Sequence, residues 1–547
     1  MTDHLHPQSA ISNQSYYSTT TTKEPEAPPA SVITTPTGWI YKRVRIGPFT
    51  LPCYASPKVQ LVLVSLVCFL CVGMYNALSG LGGGGQVSAK PADNANSALY
   101  STFSVVGFFA GTFANRLGIR LTLGLGGLGY CVYASSYLCY SHTQNTGYVI
   151  FAGALLGVCA GLLWTAQGAI MMSYPPEESK GKYISWFWSI FNLGGVFGAL
   201  IPLGLNINDT ANHVVSDGTY IGFIILMFIG ALSALCLCDA HKVRRDDGSH
   251  VILMKNPTWY TEIWGLWYTI RHNRYVLLLF PMFFASNWFY TYQFNGVNGA
   301  HFNTRTRALN NILYWFAQII GAFSSGYALD IQRYGRATRA RAGLFMLIVL
   351  TLAIWGAGYA WQITVPDREI TGNPDYKGKM DWTHDNYAQG MAIYMAYGFF
   401  DAVWQLSVYW FMGALSNSGR KTANFAGFYK GIQSAGAAIS WRIDAMEYSY
   451  TTQFAITWAL LAGSLVFAAP VIFINIKDAT DIDDDLVDTD LNYADVMPQA
   501  LMIDKDEQYL NQGGHSSSTD TRHPYNCTSD DVELSHLRRE RKSDDLV

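Results

Sequence analysis

Charged side chains are scarce in this sequence. Of its 547 residues, 14% are Asp, Glu, Lys or Arg, whereas an average soluble domain carries about 25%. Hydrophobic residues make up 50% of the chain and aromatic residues 14%. This composition argues against an ordinary water-soluble protein.

The first 57 residues contain no long apolar run. They are rich in Ser, Thr and Pro and lack the short apolar stretch of a cleaved signal peptide. The first apolar run, which begins near Val59, is therefore expected to stay in the mature protein as a membrane anchor. Seven of the nine cysteines fall within apolar runs, so the sequence indicates no disulfide framework.

Catalytic and metal-binding patterns are missing as well. The segments between apolar runs show no spacing of a nucleophile and a base, and no spacing of metal ligands. The glycine run at 82–85 lacks the Lys-Ser/Thr that follows the glycines of a nucleotide-binding loop. It is more typical of an unwound helix end or a close helix contact. We therefore expect no enzyme activity, no cofactor and no metal.

The charges that are present are unevenly distributed. Residues 475–547 hold 18 acidic and 7 basic residues, a net charge of −11, and the preceding chain has a net charge of +8. The bases of that chain lie between apolar runs and not along one polar face, which argues against nucleic acid as a partner. A lipid bilayer explains the pattern better.

Twelve apolar runs are long enough to cross a bilayer, whose hydrocarbon core needs about 20 helical residues. Because lipid cannot satisfy free backbone groups, these runs are expected to form helices. Asn287, Asn295 and Lys430 interrupt the seventh and eleventh runs. The runs lie near residues 59–81, 95–115, 121–140, 148–172, 183–204, 218–239, 275–296, 308–329, 342–361, 389–414, 422–441 and 452–474.

The bases predict the orientation of the chain. An even number of spans places both tails on one side. Between Lys42 and Lys421, the segments on that side hold twenty Lys and Arg residues, against seven on the other side. The positive-inside rule therefore predicts cytosolic termini. The sequence does not distinguish the plasma membrane from vacuolar or other endomembranes. Asn208 lies in an Asn-x-Thr site on a short outer loop, and its glycosylation is left open.

These features predict an all-α polytopic membrane protein. Its twelve transmembrane helices are expected to form two pseudo-symmetric halves of six. The linker carries an aromatic-rich stretch that predicts either a helix lying at the inner interface or an aromatic belt around the next span. The predicted segments are a disordered cytosolic tail at 1–57, a first half at 58–240, a cytosolic linker at 241–274, a second half at 275–474 and an acidic disordered cytosolic tail at 475–547.

One loop pattern recurs in both halves. A small residue precedes a polar acceptor by four positions, and a Gly turn and bases follow, after the second and after the eighth run. Both copies are candidate gating loops at the inner side, with a plain helix stop as the alternative. The first copy contains Gly111, Asn115, Arg116, Gly118 and Arg120, and the second contains Gly326, Asp330, Arg333, Gly335 and Arg336.

This loop pattern resembles the cytosolic loop signature of the major facilitator superfamily, whose first copy has Asp where this chain has Asn115. The stretches GMYNALSGLGGGGQ at 73–86, AGLLWTAQGAIMMSYP at 160–175 and SIFNLGG at 189–195 resemble the fungal branch of the Unc-ninety-three-like family. The resemblance covers about 59–474. It implies a major-facilitator fold and members that act as transporters, or as regulators and escorts of ion channels and other membrane proteins.

Two charges fall inside predicted spans, Asp401 in the tenth and Lys430 in the eleventh. A charge at the bilayer centre costs roughly 2.5 to 3.5 kcal/mol on insertion scales. The depths of these two residues differ by about 6 Å at the helical rise, so we expect them to pair. Such a pair would either lock neighbouring helices or leave Asp401 to couple protons.

The resemblance also implies that the first, fourth, seventh and tenth spans line a central cavity. Amide and aromatic side chains on these spans suit an uncharged or amphipathic ligand better than a multiply charged one. Helix packing is the alternative for each residue. The cavity candidates are Asn76, Trp164, Gln167, Asn287, Tyr290, Gln293, Trp404 and Gln405.

The sequence thus favours a secondary transporter that moves a small solute, with a proton or another ion, by alternating access. The alternative is an adaptor that does not transport but escorts or modulates another membrane protein.

Overall fold

The computed structural model describes residues 38–43, 45–47, 49–86, 88–175, 180–208, 215–245, 259–373, 376–415 and 419–478. Most of the predicted N-terminal tail and nearly all of the acidic tail lie outside these residues. A short antiparallel hairpin, β1 (Arg45–Ile46) and β2 (Phe49–Thr50), precedes the first span. The rest of the described chain is almost entirely helical.

Twelve transmembrane helices form two halves, which confirms the predicted fold class. The first half contains α1 (Pro57–Gly80), α2 (Lys90–Val106), α3 (Arg116–Thr143), α4 (Thr146–Ser173), α5 (Lys180–Leu205) and α6 (Asp217–Cys236). In the second half, α7 joins Arg274–Ala285 to a π-helical segment, Tyr292–Gly299. It is followed by α8 (Thr304–Leu329), α9 (Arg336–Gln362), α10 (Tyr387–Leu415), α11 (Gly419–Ala445) and α12 (Tyr450–Ile474).

Polar residues next to the apolar runs set several helix starts. The side chains of Asn145, Asn303 and Ser449 accept hydrogen bonds from Tyr148 N, Thr306 N and Thr452 N at 3.2, 3.1 and 3.2 Å. Each such bond satisfies one of the free N–H groups in the first turn of a helix. The sequence therefore marks where α4, α8 and α12 begin.

Both ends of the second span differ from the predicted run. The second span begins at Lys90 rather than near residue 95, and it ends at Val106 because the chain turns at 107–109. The next helical segment, Ala110–Thr143, is broken at Gly118, whose φ of 79° and ψ of 157° leave the helical region. Glycine adopts this backbone conformation at little steric cost.

The helices differ in how apolar they are. Eight of the described helices are long and apolar enough to cross a membrane by length and composition alone. The other four spans are α2, α7, α10 and α11, which are shorter or less apolar. These four helices contribute most of the polar groups described below.

Small residues allow close packing within and between the halves. Helix α2 packs against α4, where a Cβ on Gly153 or Gly157 would collide with the α2 backbone. Between the halves, α5 packs against α8 and α2 packs against α11. The halves therefore meet along two helix pairs.

We call the end of the bundle that holds the start of α1 and the end of α12 the proximal end, and the opposite end the distal end. Under the predicted orientation the proximal end is cytosolic. A linker helix, Trp259–His272, precedes α7 and exposes Tyr260, Trp264 and Trp267 by 55% or more. Its position at the inner interface stays a prediction, and residues 246–258 of the linker lie outside the described chain.

Candidate functional site

Amide side chains from three helices of the second half meet near the middle of the bundle. Gln433 of α11 donates from Nε2 to Asn287 Oδ1 of α7 at 2.9 Å and to Gln405 Oε1 of α10 at 3.0 Å. Gln405 Nε2 donates to the Ser286 carbonyl oxygen at 2.8 Å and to Asn287 Oδ1 at 3.0 Å. We call Trp164, Asn287, Gln405, Tyr429, Lys430 and Gln433 the central cluster.

Lys430 joins this cluster to the first half. Its ammonium donates to Gln433 Oε1 at 3.0 Å. The same nitrogen lies 4.8 Å from the ring centroid of Trp164 on α4, 5.1 Å from that of Tyr429 and 5.5 Å from that of Tyr409. Ring faces attract cations, so Lys430 of one half contacts Trp164 of the other.

Asp401 lies outside the central cluster and is fully buried. Its Oδ2 accepts hydrogen bonds from Gln318 and from the Tyr314 hydroxyl, the latter at 3.3 Å, both on α8. Its Oδ1 is buried without a hydrogen-bond partner of normal geometry in the described part of the chain. Asp401 therefore connects α10 to α8 within the second half.

The predicted contact between Asp401 and Lys430 is not present. Among the ion pairs of the described chain none joins these two residues. The depth estimate along the helices gives a height but not a direction around the helix axis. Asp401 turns towards α8, whereas Lys430 turns towards α4.

The other cavity candidates occupy varied environments. Asn76 and Tyr290 are partly exposed, whereas Gln167 is buried. Gln293 is fully buried, and its Oε1 accepts from the Tyr314 hydroxyl at 2.7 Å. Trp404 is also fully buried and donates from Nε1 to Ser286 Oγ at 3.0 Å. Asn287 and Gln405 are thus brought together with Lys430, whereas Gln293 and Trp404 pack inside the second half.

The two halves are joined at the distal end by a buried arginine. Arg307 of α8 is 4% exposed and donates to the carbonyl oxygens of Leu81 and Gly82, the second at 2.6 Å. Asn311 of α8 donates to the Ala77 carbonyl oxygen at 2.6 Å. The end of α1 is therefore held by side chains of the other half.

The glycine run makes this contact possible. Gly82, Gly83, Gly84 and Gly85 all have positive φ, between 56° and 77°. A Cβ on Gly82 would lie 2.6 Å from the Phe294 carbonyl oxygen of α7, so a larger residue would push the halves apart. The expectation of an unwound helix end with close contacts agrees with this geometry.

A second set of distal contacts buries two carboxylates. Asn295 of α7 donates from Nδ2 to Asp93 Oδ1 of α2 and to Asp444 Oδ2 of α11, both at 2.7 Å. Asp444 Oδ1 also pairs with Arg368 Nη2 at 2.6 Å. We give the name distal closure to the set Asp93, Asn295, Arg307, Arg368, Asp444 and residues 81–85.

The distal loop between α9 and α10 is held by ionic contacts. Arg305 at the start of α8 forms two bonds to Asp381, at 2.7 and 2.9 Å. The Arg305 guanidinium holds the pKa of Asp381 below its ordinary value. Burial lowers the pKa of Lys379 to about 7, and its Nζ donates to the Gly299 carbonyl oxygen at 2.8 Å. These contacts fasten the loop to the distal ends of α7 and α8.

The first candidate gating loop lies at the proximal end. Gly118 breaks the helix there, and Arg120 pairs with Asp239 after α6 at 3.4 Å. Lys242 also contacts Asp239, and this hydrogen bond lowers the pKa of that carboxyl. Arg116 is exposed, and the side-chain surroundings of Gly111 and Asn115 lie outside the described part of the chain.

The second copy makes different contacts. Asp330 ends α8 and accepts from Trp410 Nε1 of α10 at 3.3 Å. Gly326 lies against Ser185 of α5, where a Cβ would collide with the Ser185 hydroxyl. Gly335 and Arg336 lie against Asp478, and Arg333 is exposed. At the distal end, Asn208 is exposed, as glycosylation would require.

Several residues of these sites were not singled out from the sequence. Gln433 and Tyr429 lie beside Lys430 in the sequence, so the spacing on α11 was an available signal. Arg307 looks like an ordinary loop base in the sequence and is buried in the structure. The pairing of Asp93 with Asn295 and Asp444 has no local signal, because the three residues lie more than 140 positions apart.

Comparison with known proteins agrees with this architecture. Residues 61–441 match the family model described as Major Facilitator Superfamily. An UNC93-like protein of Schizosaccharomyces pombe is 51% identical over 82% of this chain and 88% of its own length. UNC93-like protein 1 of Arabidopsis thaliana is 42% identical over 79% of this chain and 93% of its own length.

Among solved structures, the Escherichia coli xylose transporter XylE in a partially occluded inward-open conformation superposes with a TM-score of 0.52 at 14% identity. The match covers 78% of this chain and 99% of XylE, and at this identity it shows the fold alone. The family model spans most of the chain, and these two relatives match 82% and 79% of it. The chain therefore belongs to the Major Facilitator Superfamily and, within it, to the fungal UNC93-like family.

Proposed function

We propose that this chain is a secondary transporter that moves a small solute by alternating access between its two halves. The observation that supports this proposal most is the central cluster. Polar groups of α7, α10 and α11 bond to one another there, and Lys430 faces Trp164 of the other half. Asn287 and Lys430 remain partly exposed. Polar groups at mid-depth between two repeats are typical of a transport site.

The distal closure defines one state of the proposed cycle. Arg307, Asn295 and the glycine run join the halves by buried contacts at the distal end. A solute would therefore reach the central cluster from the proximal end. Rocking of the halves would break these contacts and open the distal side. The candidate gating loops, with the helix break at Gly118, would close the proximal side in that second state.

Cross-linking tests the rocking motion directly. Lys90 of the first half and Glu447 of the second form an exposed ion pair of 3.1 Å at the distal end. With cysteines at both positions, a short bis-maleimide should hold the distal end closed and stop transport. A matched single variant, Lys90→Cys, should keep transport after the same treatment. Unchanged transport by the cross-linked double variant would contradict the proposal.

Transport itself is tested with the purified chain alone. Solutes that raise its melting temperature bind the folded state and identify compounds to assay. Liposomes that contain the chain should take up such a solute saturably, and protein-free liposomes should not. Solutes that bind but are not taken up would argue against transport.

A second candidate function is that of an adaptor for another membrane protein. An apolar groove of about 510 Å³ lies between α9 and α12 on the outside of the bundle. Ala455, Ala459 and Ala462 line it at helical spacing, and small residues at such spacing allow a second helix to approach closely. Purification from native cells with one partner in equal amount, together with no solute uptake, would favour this function.

A further inference from the structure

The direction of each amide in the central cluster is determined by its hydrogen bonds. The Ser286 carbonyl oxygen can only accept, so Gln405 must present its Nε2 there, at 2.8 Å. The Lys430 ammonium can only donate, so Gln433 must present its Oε1 there, at 3.0 Å. The network is therefore fixed from both ends, and Gln433 Nε2 donates to Gln405 Oε1 between them.

This network determines which group Asn287 offers to the cavity. Its Oδ1 accepts from both Gln405 and Gln433, at 3.0 and 2.9 Å. Its amide nitrogen has no hydrogen-bond partner in the described part of the chain, and the residue is partly exposed. Asn287 therefore offers two unused N–H donors. Its Oδ1 already accepts two hydrogen bonds and offers the cavity no further acceptor.

Lys430 adds a positive charge beside these donors. Lys430 and Asn287 contact the two ends of the same Gln433 amide, so their polar groups lie close together. Besides Gln433, the ammonium faces the rings of Trp164, Tyr409 and Tyr429. Within the described residues no carboxylate lies at ion-pair distance from Lys430.

The nearest acid in the same half is occupied elsewhere. Asp401 is fully buried and uses its Oδ2 on Gln318 and Tyr314 of α8. Asp401 is close enough to interact electrostatically with Lys430, but it forms no ion pair with it. At the central cluster itself the wall thus presents one cation and a surplus of donors. An acceptor-rich anion matches both features, whereas a cationic ligand would meet the ammonium that already faces the three rings.

We propose that the central cluster binds an organic monoanion, a single carboxylate on an apolar or aromatic body. Lys430 and Asn287 bind the carboxylate, and the partly exposed rings of Trp164 and Tyr290 contact the body. The ligand carries a single negative charge because the cluster holds one cation, Lys430. This inference rests on the proposed function, because it names the solute class of the same site.

Three probes with the same body test the inference. They are 3-phenylpropionate, 3-phenylpropionamide and 3-phenylpropylamine. Alkyl acids of shorter and longer chain, each with its matching amide and amine, complete the series. Binding to the purified full chain is measured by the shift of its melting temperature with probe concentration. Carboxylates should bind roughly tenfold more tightly than their amides because the contact is charge-assisted, and the amines should bind least.

Two variants of the cluster and one control locate the effect. Lys430→Met should abolish the preference for carboxylates over amides. Asn287→Asp, which has nearly the same volume, should abolish it by placing a negative charge where the donors were. The control Lys90→Met removes an exposed lysine at the distal end and should leave the preference unchanged.

The outcomes separate the two proposals. Amides that bind as tightly as carboxylates throughout the series, no carboxylate that binds at all, or a preference that survives in Lys430→Met would each overturn the monoanion site. If a neutral solute is transported while carboxylates do not bind, the solute class is wrong and transport stands. If carboxylates bind with the expected preference but do not enter liposomes, the site stands and transport is wrong.

Discussion

The distal closure and the central cluster both join the two halves, yet they use polar groups in opposite ways. In the distal closure, Arg307, Asp93 and Asp444 are almost fully buried, and their partners are fixed backbone or side-chain groups. In the central cluster, Asn287 and Lys430 remain partly exposed and keep unused donors. Satisfied buried groups hold one arrangement, whereas unused groups can bind a ligand.

The largest expected effect concerns the buried ion pair of the distal closure. Arg368→Met would leave the buried Asp444 and its neighbour Asp93 without a cation, at a cost of about 3 to 5 kcal/mol in stability. Thermal unfolding of the purified variant, followed by tryptophan fluorescence, measures the loss. Lys90→Met is the matched control, because its ion pair with Glu447 is exposed and should contribute less than about 1 kcal/mol. Equal losses for both variants would contradict the distinction between buried and exposed contacts.

A pair of glycines separates crowding at the distal closure from backbone strain alone. Gly84 has φ 61°, and a Cβ there would lie 2.6 Å from the Tyr137 ring, whereas Gly47, between β1 and β2, has φ 60° and nothing within 4 Å of its Cβ position. Gly47→Ala should cost about 1 kcal/mol from its backbone conformation. Gly84→Ala should cost about 2 to 3 kcal/mol, because the collision is added to the strain. Melting temperatures of the two variants test the difference, and an equal shift would show that Tyr137 moves freely.

Asp401 tests whether a buried acid beside the central cluster serves transport. Asp401→Asn keeps the shape and can still accept from Gln318 and Tyr314. We expect uptake into liposomes to fall at least roughly tenfold, which corresponds to about 1.4 kcal/mol in the barrier, at unchanged abundance in the membrane. The control Asp217→Asn changes an exposed acid that pairs with His142 on the surface. A parallel loss of abundance in Asp401→Asn would instead favour a role in locking α10 to α8.

The smallest effect is expected from the distal loop. Because Arg305 depresses the pKa of Asp381, the ionised carboxylate stabilises the folded protein at pH values above its ordinary pKa of 3.8. This stabilisation should be lost as the pH falls below that value towards the depressed pKa. Asp381→Asn should therefore lower the melting temperature slightly at pH 7 and flatten its decline in acid. A decline as steep as that of the unaltered chain would assign the acid sensitivity to other groups.

The sequence predicts the fold well because the bilayer imposes a length and a polarity on each span. The apolar runs, the caps at Asn303 and Ser449, and the excess of bases on one side are all local features. Lys430 and Asp401 could be identified for the same reason, since a charge in an apolar run stands out. Whether these two residues contact each other could not be predicted. The sequence gives the height of a side chain along its helix but not the direction in which the packed helix points it.

The distal closure contains residues whose burial no local sequence pattern reveals. Arg307 and Asp93 look like loop and helix-end charges in the sequence, and the structure buries them between the halves. Likewise, Gln433 and Tyr429 are unremarkable until α10 and α7 lie next to α11. Their roles depend on neighbours that are far away along the chain.

By itself, the sequence determined the membrane class, the number of spans and their division into two halves, because each span must satisfy its backbone internally and present apolar side chains to lipid. It also marked α7 and α11 as unusual. The tertiary structure alone decided which polar side chains meet, which of them are fully satisfied and which keep a free donor. That choice depends on the rotation and packing of helices separated by hundreds of residues, which no local pattern records.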